Sequence, residues 1–213
     1  MAPKKVRPND MVTPFDPRTV PSPAVFSKSL RMSYRIARGE QGVLTFEPYK
    51  LLLLPLWRFR TVSIAKTSSA QLKSAFDYFI AQEDFVGADM SRKFIQMGMT
   101  RAKRYANHAG GRKYDRTARE VERDGGSRTE LPKSQGHAGM EEKLEASEVF
   151  KGVWMACTGD ERYLELKREF LAEQKEWEKA GKKLTREEES NDEGAEVDRK
   201  EGEAAVKQEL DAV

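Results

Sequence analysis

The sequence of 213 residues has one cysteine, two histidines and no long apolar run. A single cysteine, Cys157, forms neither an internal disulfide nor a cysteine-rich zinc site. The apolar stretch at 51–54 is interrupted by Pro55 and is far too short to cross a bilayer. The first thirty residues lack the apolar segment of a signal peptide. We therefore expect a cytoplasmic protein that has no membrane partner.

The motifs of several common enzyme classes are also missing. The sequence has no P-loop, no Gly-x-Ser-x-Gly elbow, no His-Glu-x-x-His pair and no dinucleotide-binding glycine pattern. The glycine pair at 110–111, although basic residues follow it, lacks the spacing and the hydroxyl of a P-loop. No metal site and no cofactor are predicted. The chain has two histidines, His108 and His137, and His137 lies in a stretch expected to be flexible, which would have to fold back to form a two-histidine site.

Charge is divided unevenly along the chain. Residues 1–140 hold 25 Lys and Arg against 13 Asp and Glu, whereas residues 141–213 hold 13 against 22. Such a division is typical of a domain that faces a polyanion and carries an acidic tail. The alternative is that the acidic and basic parts simply keep each other in solution.

Composition also predicts the domain organisation. Residues 1–25 should be a disordered, basic, proline-rich arm, in which Lys4, Lys5 and Arg7 leave a nuclear location open. Residues 26–178 should form a single globular domain, with a flexible, glycine-containing insertion at 116–140. Residues 179–213 are highly charged and should be a disordered acidic tail.

Apolar spacing predicts a mainly α (α+β) fold, a compact helical domain with one short strand or small β-hairpin. One helix should begin after Thr61, and a second should run from near Asp84 to about His108. Apolar periodicity continues through 144–157, and Asp160 can cap a further helix. A tight turn at 39–42 should precede a short strand at 43–46.

The densest chemical signal lies between Ser91 and Arg119, a stretch with nine basic residues and one acid. Guanidinium groups match phosphate oxygens, lysines add point charges, and tyrosine rings can stack on bases. The alternative is a solvated face whose last-turn cations complement the helix dipole. We predict a surface that binds nucleic acid or another phosphate-rich ligand, formed by Arg92, Arg101, Lys103, Arg104, Tyr105, Arg112, Lys113 and Tyr114.

Two residues are candidates for catalysis, and the sequence leaves open whether the protein is an enzyme. Glu40 could move a proton, pair with an arginine or only belong to a turn, and His108 could act as a base or only end its helix. In that alternative the chain is a small enzyme acting on a phosphorylated compound, held by Arg101, Arg104, Arg112 and Lys113. A third alternative is a protein–protein interaction module that docks through the helices of Trp154 and Trp177.

Two stretches carry a resemblance to a known family. The first joins GEQGV at 39–43 to EPYK at 47–50, and the second joins DMSRKF at 89–94, RYANH at 104–108 and GRKY at 111–114. They resemble an intracellular family called Domain of Unknown Function 4385, over about residues 30–115 and, more weakly, 141–175. The resemblance implies one compact domain without an assigned activity, and it assigns no catalytic residue.

Overall fold

The computed structural model describes residues 11–20, 27–37 and 39–181. The chain divides into two compact units, Met1–Lys167 and Arg168–Val213. In the second unit the described residues, 168–181, are the end of one helix. The predicted acidic tail from residue 182 onward and most of the predicted N-terminal arm lie outside the described residues.

The prediction of a mainly helical protein is confirmed. Short 3₁₀ turns at Pro17–Thr19, Leu54–Leu56 and Ala109–Gly111 accompany the helices. No helix among the described residues has the length and apolar character needed to cross a membrane. The helices are α1 (Lys28–Ser33), α2 (Tyr49–Leu53), α3 (Val62–Ala81), α4 (Phe85–Asn107), α5 (Ala118–Asp124), α6 (Met140–Thr158) and α7 (161–181).

The three long helices α3, α4 and α6 pack against one another and form the core. Phe76 and Phe79 of α3, Phe94 of α4 and Phe150 of α6 are at most 1% exposed. Burying side chains of this size contributes on the order of 2–3 kcal/mol each. Helix α4 is the most deeply buried of the three, since most of its residues from 85 to 98 are buried.

The ends of α3 and α4 follow the capping signals in the sequence. The Thr61 side chain accepts a hydrogen bond from the Ile64 backbone N–H, and Asp84 accepts one from that of Gly87. Helix α4 ends before Gly110, whose φ of 66° lies in the left-handed region that glycine adopts without a steric penalty.

The predicted strand at 43–46 does not form. These residues are in turns, although Val43 is buried and Phe46 packs edge-on against Tyr34. Apolar residues alone do not make a strand, which needs a partner for its backbone hydrogen bonds. In the described ranges the only β pairing is a single bridge between Tyr114 and Glu130.

Two segments predicted to lack structure contain local order. Within the predicted arm, Phe15 donates its backbone N–H to the Gln71 side chain at 2.6 Å and contacts the Tyr78 ring edge-on. Within the predicted insertion, α5 begins with a capping box between Thr117 and Glu120. The flexibility of residues 116–140 stays a prediction.

Candidate functional site

Part of the predicted basic stretch comes together at the C-terminal end of α4. Arg104 donates Nε to the Gly111 carbonyl at 2.6 Å, which holds the following loop against the helix. The predicted insertion returns to the same place, because the Ser134 backbone N–H donates to the Asn107 carbonyl at 2.8 Å. Lys103 precedes Asn107 by one helical turn. We define the basic surface as Lys103, Arg104, Arg112, Lys113 and Lys133.

Most of this surface keeps its positive charge. Lys113 is offset by Glu130, whose carboxylate lies 3.2 Å from its Nζ and raises the lysine pKa. Among the described residues Arg112 donates to the carbonyls of Tyr114 and Asp115, which carry no net charge, and its charge also acts on the Glu120 carboxylate. Neither Arg112 nor the other three cations of the basic surface has a carboxylate partner within 4.0 Å among the described residues.

The two predicted tyrosines are already in contact with other side chains. The Tyr105 ring lies 5.8 Å from the Phe59 ring and 5.7 Å from the Lys143 ammonium, and it packs against Gly111. The Tyr114 ring has the Arg128 guanidinium at 4.7 Å. Both rings therefore have internal contacts, although Tyr105 is still 38% exposed.

Two of the predicted arginines do not belong to the basic surface. Arg92 is 12% exposed and forms an ion pair with Asp89 at 2.7 Å. Arg101 lies beside Glu40, with its Nε 3.8 Å from the carboxylate. Arg92 and Arg101 are therefore close in sequence to the cations at the C-terminal end of α4, but their side chains pair with carboxylates elsewhere along the helix.

The two candidate catalytic residues lie apart along α4. Glu40 contacts Thr100 at 3.3 Å and Arg101. His108 is 4% exposed and follows the last residue of α4, where its backbone N–H donates to the Arg104 carbonyl. Seven residues separate Arg101 from His108, which is about 10 Å along a helix. A paired acid and base of the kind expected for the enzyme alternative is therefore not assembled.

A cluster that sequence inspection missed lies near the start of α4. Asp89 is fully buried, and its Oδ1 accepts hydrogen bonds from Arg92 and from the Tyr163 hydroxyl at 2.7 Å. Its Oδ2 accepts one from the Tyr34 hydroxyl at 2.6 Å. Burial alone would raise the pKa of Asp89, but the Arg92 charge and these donors hold it below the ordinary value.

Lys93 completes this cluster and is only 1% exposed. Its Nζ donates to the Gln41 carbonyl at 3.3 Å, lies 3.9 Å from Asp89 Oδ2 and sits 5.4 Å from the centre of the Tyr34 ring. Burial lowers its pKa, and the Asp89 charge opposes part of that shift. We call Tyr34, Asp89, Arg92, Lys93 and Tyr163 the buried cluster.

Neither group of residues forms a metal centre. No set of three His, Cys, Asp or Glu side chains that could hold a metal ion occurs in 11–20, 27–37 or 39–181. His137 does return to the end of α4, but one ring nitrogen pairs with the Tyr105 carbonyl at 3.0 Å and the other with Ser134 at 3.1 Å.

Comparison with known proteins identifies one similarity. A family described as a domain of unknown function (DUF4385) matches residues 18–173. No curated protein and no solved structure matches the chain. The matched range contains both the buried cluster and the basic surface.

Proposed function

We propose that this chain, which belongs to the DUF4385 family, binds the phosphate backbone of nucleic acid through the basic surface. One observation carries the proposal. Lys103, Arg104, Arg112 and Lys133 lie around the end of α4 without a carboxylate partner among the described residues. Because nucleic acid occurs in the cytoplasm and in the nucleus, the same proposal implies that the protein is located in one of these compartments.

The helix dipole does not account for all of these charges. Cations in the last turn, here Lys103 and Arg104, stabilise a helix by about 0.3–1 kcal/mol each. Arg112 and Lys133 lie outside α4 and gain nothing comparable from it. Cations on loops outside the helix are better explained by contacts to phosphates. Each such contact releases a condensed counterion from the nucleic acid, which favours binding.

The mode of binding should depend on charge more than on stacking. Tyr105 and Tyr114 have internal partners, which favours contacts to phosphates over contacts to unpaired bases. The enzyme alternative gains no support from the positions of Glu40 and His108. We therefore propose binding of duplex nucleic acid with little sequence preference.

Salt dependence provides the test. If four phosphates are neutralised, the logarithm of the association constant for duplex DNA should fall against the logarithm of salt concentration with a slope near −3.6. Replacing Lys103 and Arg112 with Ala together should flatten the slope by about 1.8 units. The melting temperature should change little, because Lys103 and Arg112 are exposed. Fluorescence anisotropy of a labelled duplex measures the slope.

A matched control removes two positive charges elsewhere. Lys151 and Lys179 each pair with a glutamate three residues earlier and lie outside the basic surface. Replacing both with Ala should leave the slope unchanged. Absence of binding at low salt, or equal slopes for the two double variants, would contradict the proposal.

A further inference from the structure

Both histidines of the chain lie at the C-terminal end of α4, beside the basic surface. His108 directly follows the helix, and His137 belongs to the segment that returns to it. Both ring nitrogens of His137 have partners, whereas the buried Nδ1 of His108 has none within the described part of the chain. Histidine is the side chain whose charge ordinarily changes between about pH 5 and 8. A histidine of this chain that gains charge therefore does so next to the basic surface.

The contacts of the His137 ring are all satisfied in one protonation state. The Tyr105 carbonyl, 3.0 Å from Nε2, can only accept a hydrogen bond, so Nε2 carries a proton. Nδ1 lies 3.1 Å from Ser134 Oγ, and that hydroxyl also donates its one proton to the Gly136 carbonyl at 3.3 Å. In a neutral ring Nδ1 needs the same proton, and one contact is lost. When both nitrogens are protonated, Nδ1 donates to Ser134 and Ser134 donates to Gly136.

These contacts also position Lys133. The Ser134 backbone N–H donates to the Asn107 carbonyl at 2.8 Å, and His137 donates to that of Tyr105. Both carbonyls lie in the last turn of α4, where they have no partner within the helix and where positive charge complements the helix dipole. Lys133 directly precedes Ser134 in the chain. A ring that is held more firmly on α4 therefore keeps Lys133 on the basic surface.

The elements around His137 carry more cations than anions. The first residue of α6, Met140, donates its backbone N–H to the His137 carbonyl at 3.2 Å, so the first turn of α6 is also a neighbour. The charged or titratable side chains at this end of α4, on the segment itself and in the first turn of α6 are Lys103, Arg104, Tyr105, His108, Lys133, Glu141, Glu142 and Lys143.

This excess of cations couples a proton to a polyanion. In the free protein the neighbouring cations oppose one more positive charge, and phosphates bound to the basic surface offset that opposition. Proton binding at His137 and binding of nucleic acid therefore favour each other, and the coupling is reciprocal.

We propose that His137 makes nucleic-acid binding at the basic surface depend on pH, and that the doubly protonated ring strengthens binding. This dependence rests on the function proposed above. His137 is a positioning residue, because both of its nitrogens are already engaged within the protein. It holds Lys133 against α4 and adds one positive charge beside the basic surface. Nucleic acid should therefore bind more tightly, and with proton uptake, as the pH falls from 8 to 6.

Fluorescence anisotropy of a labelled DNA duplex at pH 8 and pH 6, with the full chain and at equal ionic strength, tests this coupling. The association constant of wild type should be about fivefold larger at the lower pH, since uptake of one proton changes it by at most about tenfold per pH unit. In His137→Gln, whose amide can still donate to the Tyr105 carbonyl but stays neutral, the ratio of the two constants should fall below about twofold.

Two further variants separate this role from a general effect of pH. His108→Gln makes the same chemical change at the other histidine and should keep the wild-type ratio. Ser134→Ala keeps the backbone donor to Asn107 but removes the acceptor for Nδ1, so its ratio should fall towards that of His137→Gln. Equal ratios in wild type and His137→Gln would overturn the coupling and leave the proposed function intact. Absence of binding by wild type at both pH values would contradict the proposed function itself. If His137→Gln does not fold, a wild-type ratio in Ser134→Ala overturns the coupling.

Discussion

Replacing Asp89 with alanine should lower the free energy of unfolding by about 3–5 kcal/mol, the loss typical of breaking a buried ion pair. Asp89 is fully buried and is the shared acceptor for Arg92, Tyr34 and Tyr163. Without it, Arg92 and Lys93 are two buried like charges, and two hydroxyl groups lose their acceptor. Urea unfolding of the full chain at neutral pH measures the change.

The control is an exposed carboxylate in an ion pair of similar spacing. Asp77 lies 2.5 Å from Lys73 on the surface of α3 and is about half exposed. Asp77→Ala should change stability by about 0–1 kcal/mol, because water and salt screen such pairs. Asp89→Asn should fall between the two, since it keeps an acceptor oxygen but loses the charge. Equal effects of Asp89→Ala and Asp77→Ala would show that the buried cluster does not stabilise the fold.

The same substitution should alter the response to acid. The folded-state pKa of Asp89 lies below its ordinary value of about 3.9, so the carboxylate stabilises the fold at higher pH. That contribution is lost as the pH falls through the folded-state pKa. The stability difference between wild type and Asp89→Ala should therefore be constant near neutrality and narrow below about pH 4. Urea midpoints measured across this pH range give the difference.

Local sequence signals were sufficient to predict the long helices. Apolar residues of α3 recur at three- and four-residue intervals, and Thr61 and Asp84 cap α3 and α4 as their side-chain chemistry suggests. The glycines after α4 correctly indicated its end. These features depend on neighbours within one or two helical turns, and a single sequence contains that information in full.

The buried cluster could not be found in the same way. Tyr34 and Tyr163 reach Asp89 from 55 and 74 residues away, so no local pattern joins them. The charged residues 89, 92 and 93 would normally indicate a solvated helix face. Their position within a stretch of apolar helix residues was the one available signal, because a charge there must find a partner inside the protein.

The basic surface and the set of phosphate-binding residues predicted from the sequence overlap only in part. Counting cations along the chain ignored which of them are neutralised, and Arg92 and Lys113 have carboxylate partners in the fold. Lys133 was missed because it belongs to a segment that was predicted to be a flexible insertion. That segment returns to α4 through Ser134 and His137, a long-range arrangement that composition does not indicate.

A methyl group added at Gly98 should destabilise the protein by about 1–3 kcal/mol, the usual cost of overpacking a core. A Cβ at this position of α4 would lie 2.5 Å from Cε1 of Phe150, a contact too short to persist without movement. Phe150 is fully buried in α6 and has little room to give way. Gly98→Ala should therefore lower the urea midpoint, even though alanine is the better helix former.

The matched control is the same substitution where no neighbour lies close. Gly152 is exposed in α6, and a Cβ there would meet nothing within 4 Å, so Gly152→Ala should stabilise by about 0.5–1 kcal/mol. Opposite signs for one chemical change would identify the contact between α4 and α6 as the cause. Gly98→Ala should also cost less in a Phe150→Leu background, because the smaller side chain relieves the clash. A stabilising effect of Gly98→Ala in the wild-type background would mean that the two helices are not packed this closely.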